Sequence, residues 1–495
     1  MSSLLSTPND VEELFNLKSD VSSSQDNYDP LKAYKSVNYS FINDNNNNSY
    51  SAGRLTWDLI SIQNQFVVLA DSYLRIPIDV KCAAGGTAFA DGDGIAFKNS
   101  VLDLITGVQV QAGNGSIIVN EPTNMHFINK LRLALDTTFD GLKNITELQY
   151  EPDSVALSYT GASGGNWLSG KKVATNENVD TGASGSWNEG FSNRIKLFKR
   201  QATFASNTFS LVVYIPLRYI HPFFKACDMP LVNNRLLLTF FTPITNSTSA
   251  VTVNAPLLHA TNNAAAATMS DAQIQITGTC RLYYKRVQFD PATSKLVANK
   301  LAQGMMRRIQ YNTCDVYKVA TNQTSAIASV EENIVPSVVA PVCVWRLAVP
   351  TGEDSSQTIP FQSTQPLTSA NLLVNNINYY DQDLQEPEDF YEILRSKSVS
   401  HGKKEMHTSG LVSYNDWLSF YRVHCFDISR LQSRLADPNQ PASLFLRGYR
   451  GYNTGTVLPG TLPAVDVYYL VEHSNVCDIK LSNSDIEYRI SASYM

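Results

Sequence analysis

Thr208-Phe-Ser-Leu-Val-Val-Tyr-Ile215, Pro216, Leu217-Arg-Tyr-Ile-His-Pro-Phe-Phe224, Asp228-Met-Pro230 and Arg235-Leu-Leu-Leu-Thr-Phe-Phe241 follow one another in a single stretch. Polar and apolar residues alternate up to Ile215, the period of a half-buried strand, and Pro216 ends the run. The next eight residues fit a short amphipathic turn, Asp228-Met-Pro230 is a breaker, and a second β-rich run closes the unit. The same order returns roughly 200 residues later: Phe420-Tyr-Arg-Val-His-Cys-Phe426 as strand, Ile428-Ser-Arg-Leu-Gln-Ser-Arg-Leu435 as short helix, Asp437-Pro438 as turn, Leu444-Phe-Leu-Arg447 as strand. An echo at that period reads as one β-rich domain built twice.

Composition agrees with a large, strand-rich protein. A chain of 495 residues needs two to four cores. Charged residues make up 17%, against a usual value of about 25%, and Tyr (24) and Phe (21) are abundant, which is strand usage. A net charge of −6 argues against a surface built wholly for nucleic acid. The first residues lack the basic and apolar regions of a secretory signal, and no apolar run is long enough to span a bilayer. Cys82, Cys227, Cys280, Cys314, Cys343, Cys425 and Cys477 form no C-x-x-C pair, so buried free thiols in a reducing compartment are expected.

Along the chain, residues 1–55 read as an N-terminal arm. Ser6-Thr7-Pro8 caps a short helix that sets Val11, Leu14 and Phe15 on one face as arm contacts, and a polar, extended segment follows to Ser51. Leu74, Ile76, Ile78 and Val80 alternate as a strand near a sheet edge, since Pro77 interrupts its hydrogen bonding. Asn114-Gly115 marks a hairpin between Val108–Val110 and Ile117–Val119, and Phe127–Leu135 reads as a further strand. Residues 158–192 form a Gly/Ser-rich loop expected to be exposed, with Trp167 and Trp187 as outer-loop anchors. The Ala/Asn/Thr-rich run Ala260–Ser270 places a first domain at 56–255, a linker at 256–272 and a second domain at 273–495. In the second domain Ile274, Ile276, Cys280, Leu282 and Tyr284 share one strand face, Asp290-Pro291 opens a helix that Gly304 ends, and strands follow at Arg308–Ala320 and Pro341–Val349. Pro387 opens a helix with Phe390, Ile393, Leu394 and Lys397 in line, and Val467–Glu472 and Glu487–Ile490 close the fold. Short strands spaced by turns, with few helices, give an all-β chain of two sandwiches.

Chemistry is harder to find. Gly161-Ala-Ser163-Gly-Gly165 matches a nucleophile-elbow pattern but lies in a loop rather than between strand and helix. Asp91 and Asp93 lack the later ligands of a calcium loop, and the seven histidines show no ligand spacing. Arg194, Lys196, Lys199 and Arg200 could meet a polyanion, or be the solvent face of a strand. No catalytic residue, metal ligand or cofactor is assigned.

The two strand–helix–strand units, with Asp466-Val-Tyr-Tyr-Leu-Val-Glu-His473 as a closing strand, resemble those of double jelly-roll major capsid proteins of the virophage and polinton-like type, relatives of adenovirus hexon. The resemblance covers residues 55–490 in order and length and carries no catalytic residues. It implies two jelly rolls side by side and a homotrimeric, pseudo-hexagonal capsomer in an icosahedral virion shell. Its implied partners are neighbouring capsomers, penton and minor capsid proteins, and an internal membrane or the genome beneath the arm. It implies no sequence-specific nucleic acid, no cofactor and no secretion. The alternatives are a β-sandwich attachment or glycan-binding protein and, third, a carbohydrate-active enzyme, which would show a cleft with paired carboxylates.

Overall fold

The computed structural model describes residues 34–50, 53–62, 64–82, 94–97, 99–121, 123–142, 145–152, 189–232, 235–244 and 258–261. It further describes 272–303, 305–323, 328–350, 367–397, 408–419, 422–429, 441–450, 465–481 and 486–492. Their strands form two β-sandwiches, and every named strand pair is antiparallel. In the first, one sheet runs in spatial order Tyr34–Asn43, Arg281–Phe289, Phe66–Cys82, Thr208–Pro216, Thr203–Ala205, with Ala272–Ile276 also on Phe66–Cys82. Its companion sheet runs Arg54–Asp58, Leu236–Phe241, Gly107–Ala112, Ile117–Glu121. The second sandwich pairs Met305–Gln323, Val465–Leu481, Pro341–Pro350 and His424–Asp427, with Ile486–Ala492 also on Val465–Leu481, against Ala328–Val338, Ala442–Arg450, Leu367–Val374 and Ile377–Asn378.

The stretch that opened the reading behaves as its pattern dictates. Thr208–Pro216 buries Phe209, Leu211, Val213 and Ile215 on one face, Leu217–Ile220 and Pro222–Ala226 are short helices, and Leu236–Phe241 returns as strand. The Asn114-Gly115 hairpin, the helix Pro291–Gln303 and the helix Pro387–Ser396 also form. Gly115 takes the left-handed φ of +86° that the tight turn requires. The second short helix falls on 430–435, outside the described residues.

Four expectations are corrected. Phe127–Leu135 lies in a helix, Met125–Asp136, because its apolar residues satisfy helical and strand periods alike and its Leu, Ala, Lys and Arg favour helix. The basic residues 194–200 sit on the helix Glu189–Gln201, whose Arg194 and Phe198 are buried one turn apart. Phe66–Cys82 is central rather than near an edge. It keeps Pro77 because the partner strand changes there: Arg75 pairs Arg281, Ile78 pairs Ile276, and the missing N–H faces the turn between those partners. Last, Ala272–Ile276 and Arg281–Phe289 are two strands of the first sandwich, and Tyr34–Asn43, expected within the arm, is the edge strand beside them. The boundary expected at 256–272 therefore moves to the helix Pro291–Gln303, since hydrogen-bonded strands belong to the sheet that they extend.

Candidate functional site

No three or more His, Cys, Asp or Glu side chains among the described residues are placed to hold a metal ion. Asp91, Asp93, Gly161–Gly165, His401 and His407 lie outside those residues, as do Trp167, Trp187, Val11, Leu14 and Phe15. Arg194 is structural: its Nε donates to the Phe97 carbonyl at 3.2 Å and Nη1 to the Glu151 carbonyl, while Lys199 lies over the Phe209 ring. Six cysteines are free and buried, and burial pushes the Cys280 and Cys477 thiols up to about 12. Cys343 and Cys425 bring their sulfurs within 3.2 Å in the second sandwich.

The most developed polar geometry is the seam between the two sandwiches. Glu121, 3% exposed at the end of Ile117–Glu121, accepts from His221 Nε2 at 3.1 Å and from the Cys314 backbone N–H of the second sandwich at 2.6 Å. His221 Nδ1 accepts from the Phe223 N–H at 3.1 Å, which fixes the proton on Nε2. One carboxylate thus binds a helix cap of its own sandwich and a strand of the other. Tyr311 donates to the Ile118 carbonyl at 2.7 Å, the Phe127 and Tyr468 rings meet at 4.8 Å, and Leu411 N–H donates to the Ala134 carbonyl at 2.8 Å. A cavity of about 320 Å³ lies along this seam, with Arg132, Asn312, Trp345, Lys397 and Glu472 among its walls.

Burial raises the Glu121 pKa, but attraction to His221, their hydrogen bond and the Arg132 charge outweigh it and hold the carboxyl below its usual range. Burial holds His221 below its usual pKa despite Glu121. His424 is held well below by burial and by Arg346 and Arg422, and burial with Lys130 brings His126 to about 4. Unfolded, such imidazoles take up protons near pH 6.5, so below that pH the unfolded chain binds more protons and stability falls as pH falls. Buried Asp103, pushed up to about 7, and Asp136 and Glu472, raised by burial, act with the opposite sign over the same range. The His221 contribution is therefore read as a difference: the wild-type midpoint minus that of His221→Gln is expected to be flat above pH 7 and to decline from about pH 6.5 toward pH 4. A difference that does not change down to about pH 4.5 would contradict a buried neutral His221.

The seam was not legible in the sequence, because Glu121 lies 100 residues from His221 and 193 from Cys314. The one local signal is a carboxylate closing a short, mainly apolar strand, Ile117-Ile-Val-Asn-Glu121, whose burial does not alternate. Glu121 Oε1 and both imidazole nitrogens are engaged within the protein, Glu121 Oε2 is buried with no hydrogen-bond partner among the described residues, and the geometry can fasten two sandwiches together.

No protein-family model and no curated protein matches the sequence. Solved structures do match in fold. A chain of the cryo-electron-microscopy structure of the Sputnik virophage aligns over 95% of this chain and 91% of its own length, with a TM-score of 0.58 and 14% identity. The mavirus major capsid protein aligns over 100% and 96%, with 0.47 and 14%, and the Faustovirus major capsid protein over 95% and 94%, with 0.48 and 11%. With its two antiparallel sandwiches joined along a buried seam, the chain has the double jelly-roll fold of the virophage structure it matches.

Proposed function

We propose that this chain is a major capsid protein, a structural subunit and not an enzyme, which forms homotrimers that tile an icosahedral shell. The observation that carries the reading is the pair of similar sandwiches locked by the Glu121 seam, matched along nearly the whole chain by the virophage structure. Two such bodies per chain, taken three times, present six nearly equivalent sides, which suits hexagonal packing on a closed surface. Many modest lateral contacts then add up to a stable shell. The loop 158–192, with Trp167 and Trp187 as anchors, faces outward in this reading. Val11, Leu14 and Phe15 reach inward, toward a neighbour, a membrane or the genome. Penton and minor capsid proteins would be further partners in the virion.

Electron microscopy of the protein expressed alone tests the reading. Three-lobed, pseudo-hexagonal particles and their sheets or shells are expected, and a monodisperse population of single two-lobed particles at all concentrations would overturn it.

A further inference from the structure

The outward face of the first sandwich's larger sheet carries two adjacent rows of side chains. Register sets Asn43, Arg281, Arg75 and Tyr214 across one row and Phe41, Tyr283, Tyr73 and Pro216 across the next. The Tyr73 and Tyr283 rings stack at 5.1 Å, and Tyr39 and Tyr214 lie 5.7 and 5.8 Å from Tyr73. Tyr39 is 54% exposed and Phe41 48%, so this is an uncovered aromatic field on an edge strand. Within it Arg75 and Arg281 are direct cross-strand partners, and neither makes an ion pair among the described residues. Asp71, the carboxylate nearby, is already engaged by Arg218 and Lys285. Like charges placed opposite each other destabilise a sheet unless an anion lies between them. Tyr, Phe and Arg together are also what the centres of protein interfaces are made of.

The second sandwich offers the complement. Residues 381–392 hold Asp381, Asp383, Glu386, Glu388, Asp389 and Glu392 with no Lys or Arg between them, and of these Glu392 is already paired with Arg395. Beside them Ile377 is 72% exposed, the most exposed of the large apolar side chains among the described residues. A closed ring of three copies needs a heterologous contact, one patch on each chain fitting a different patch on the next.

We propose that the Arg75–Arg281 aromatic face receives the Ile377–Glu392 surface of a second copy of this chain, which closes the trimer. The inference rests on the trimeric capsid reading. Three variants of the full chain are compared by mass in solution and by unfolding midpoint: Arg75→Glu with Arg281→Glu, Asp381→Arg with Gln382→Arg, and all four together. Each double variant is expected to weaken association by roughly a hundredfold or more, with its midpoint lowered only as far as lost association lowers it, and the fourfold variant to regain the trimer, since its charges are complementary again. A wild-type monomer would overturn the trimer reading itself. A wild-type trimer that survives Arg75→Glu with Arg281→Glu overturns this inference alone, and so does a fourfold variant that folds but stays apart. If that face variant stays trimeric and instead loses binding to a single-stranded oligonucleotide, the face serves nucleic acid, and the proposed contact is wrong.

Discussion

Glu121→Ala is expected to lower the unfolding free energy by about 2–4 kcal/mol, since two buried donors lose their acceptor and each such loss costs about 1–3 kcal/mol. The carboxylate accepts from His221 Nε2 and from the Cys314 N–H, and both buried donors would be left without that acceptor. Glu121→Gln keeps an acceptor oxygen of nearly the same shape, so its loss should be less than half as large. Denaturant titration followed by tryptophan fluorescence reads both, since buried Trp57 lies in the first sandwich and Trp345 and Trp417 in the second. Equal losses for the two variants would mean that the charge matters and the Cys314 contact does not. A loss below about 1 kcal/mol for Glu121→Ala would mean that the seam is hydrated and contributes little to holding the sandwiches together.

Gly448→Val should be at least as damaging, by about 4 kcal/mol or more, because the obstacle is backbone rather than a side chain that can turn aside. Gly448 lies in Ala442–Arg450, directly opposite Ala370 in the neighbouring strand. A Cβ there would enter the van der Waals shell of the Ser369 carbonyl oxygen and stand 2.9 Å from the Ala370 Cα. The strand Leu367–Val374 would have to leave the sheet to make room, and the second sandwich would lose one wall of its core. Expression as soluble protein and the near-ultraviolet dichroism of the aromatic core would report it. Wild-type spectra and midpoint in this variant would show that the strands pair in another register.

Where the sequence could be read, one pattern had one solution. Thr208–Pro216 alternates with period two and is stopped by a proline, and it is a strand with one buried face. Where it misled, two solutions fitted. Met125–Asp136 has apolar residues at both periods, and only packing against the second sandwich, through Phe127 on Tyr468, shows which one holds. Tyr34–Asn43 does alternate at Val37, Tyr39 and Phe41, but those side chains point outward, so the usual link between alternation and burial fails. Ala260–Ser270 has the composition of a linker, yet the chain goes on from it to the large sheet of the first sandwich, since Ala272–Ile276 pairs with Phe66–Cys82. Of the candidate site, the expectation that no metal or nucleophile motif governs function came from local spacing. The Glu121–His221–Cys314 seam and the Arg75–Arg281 face are long-range products of register, which local spacing does not encode.

The mass of the freshly purified full-length protein in solution, by light scattering across a concentration series, tests the central claim most directly. The capsid reading predicts a species of three chain masses that persists on dilution, as an obligate interface of roughly 2,000 Å² or more would ensure. A stable single-chain mass throughout the series would contradict it.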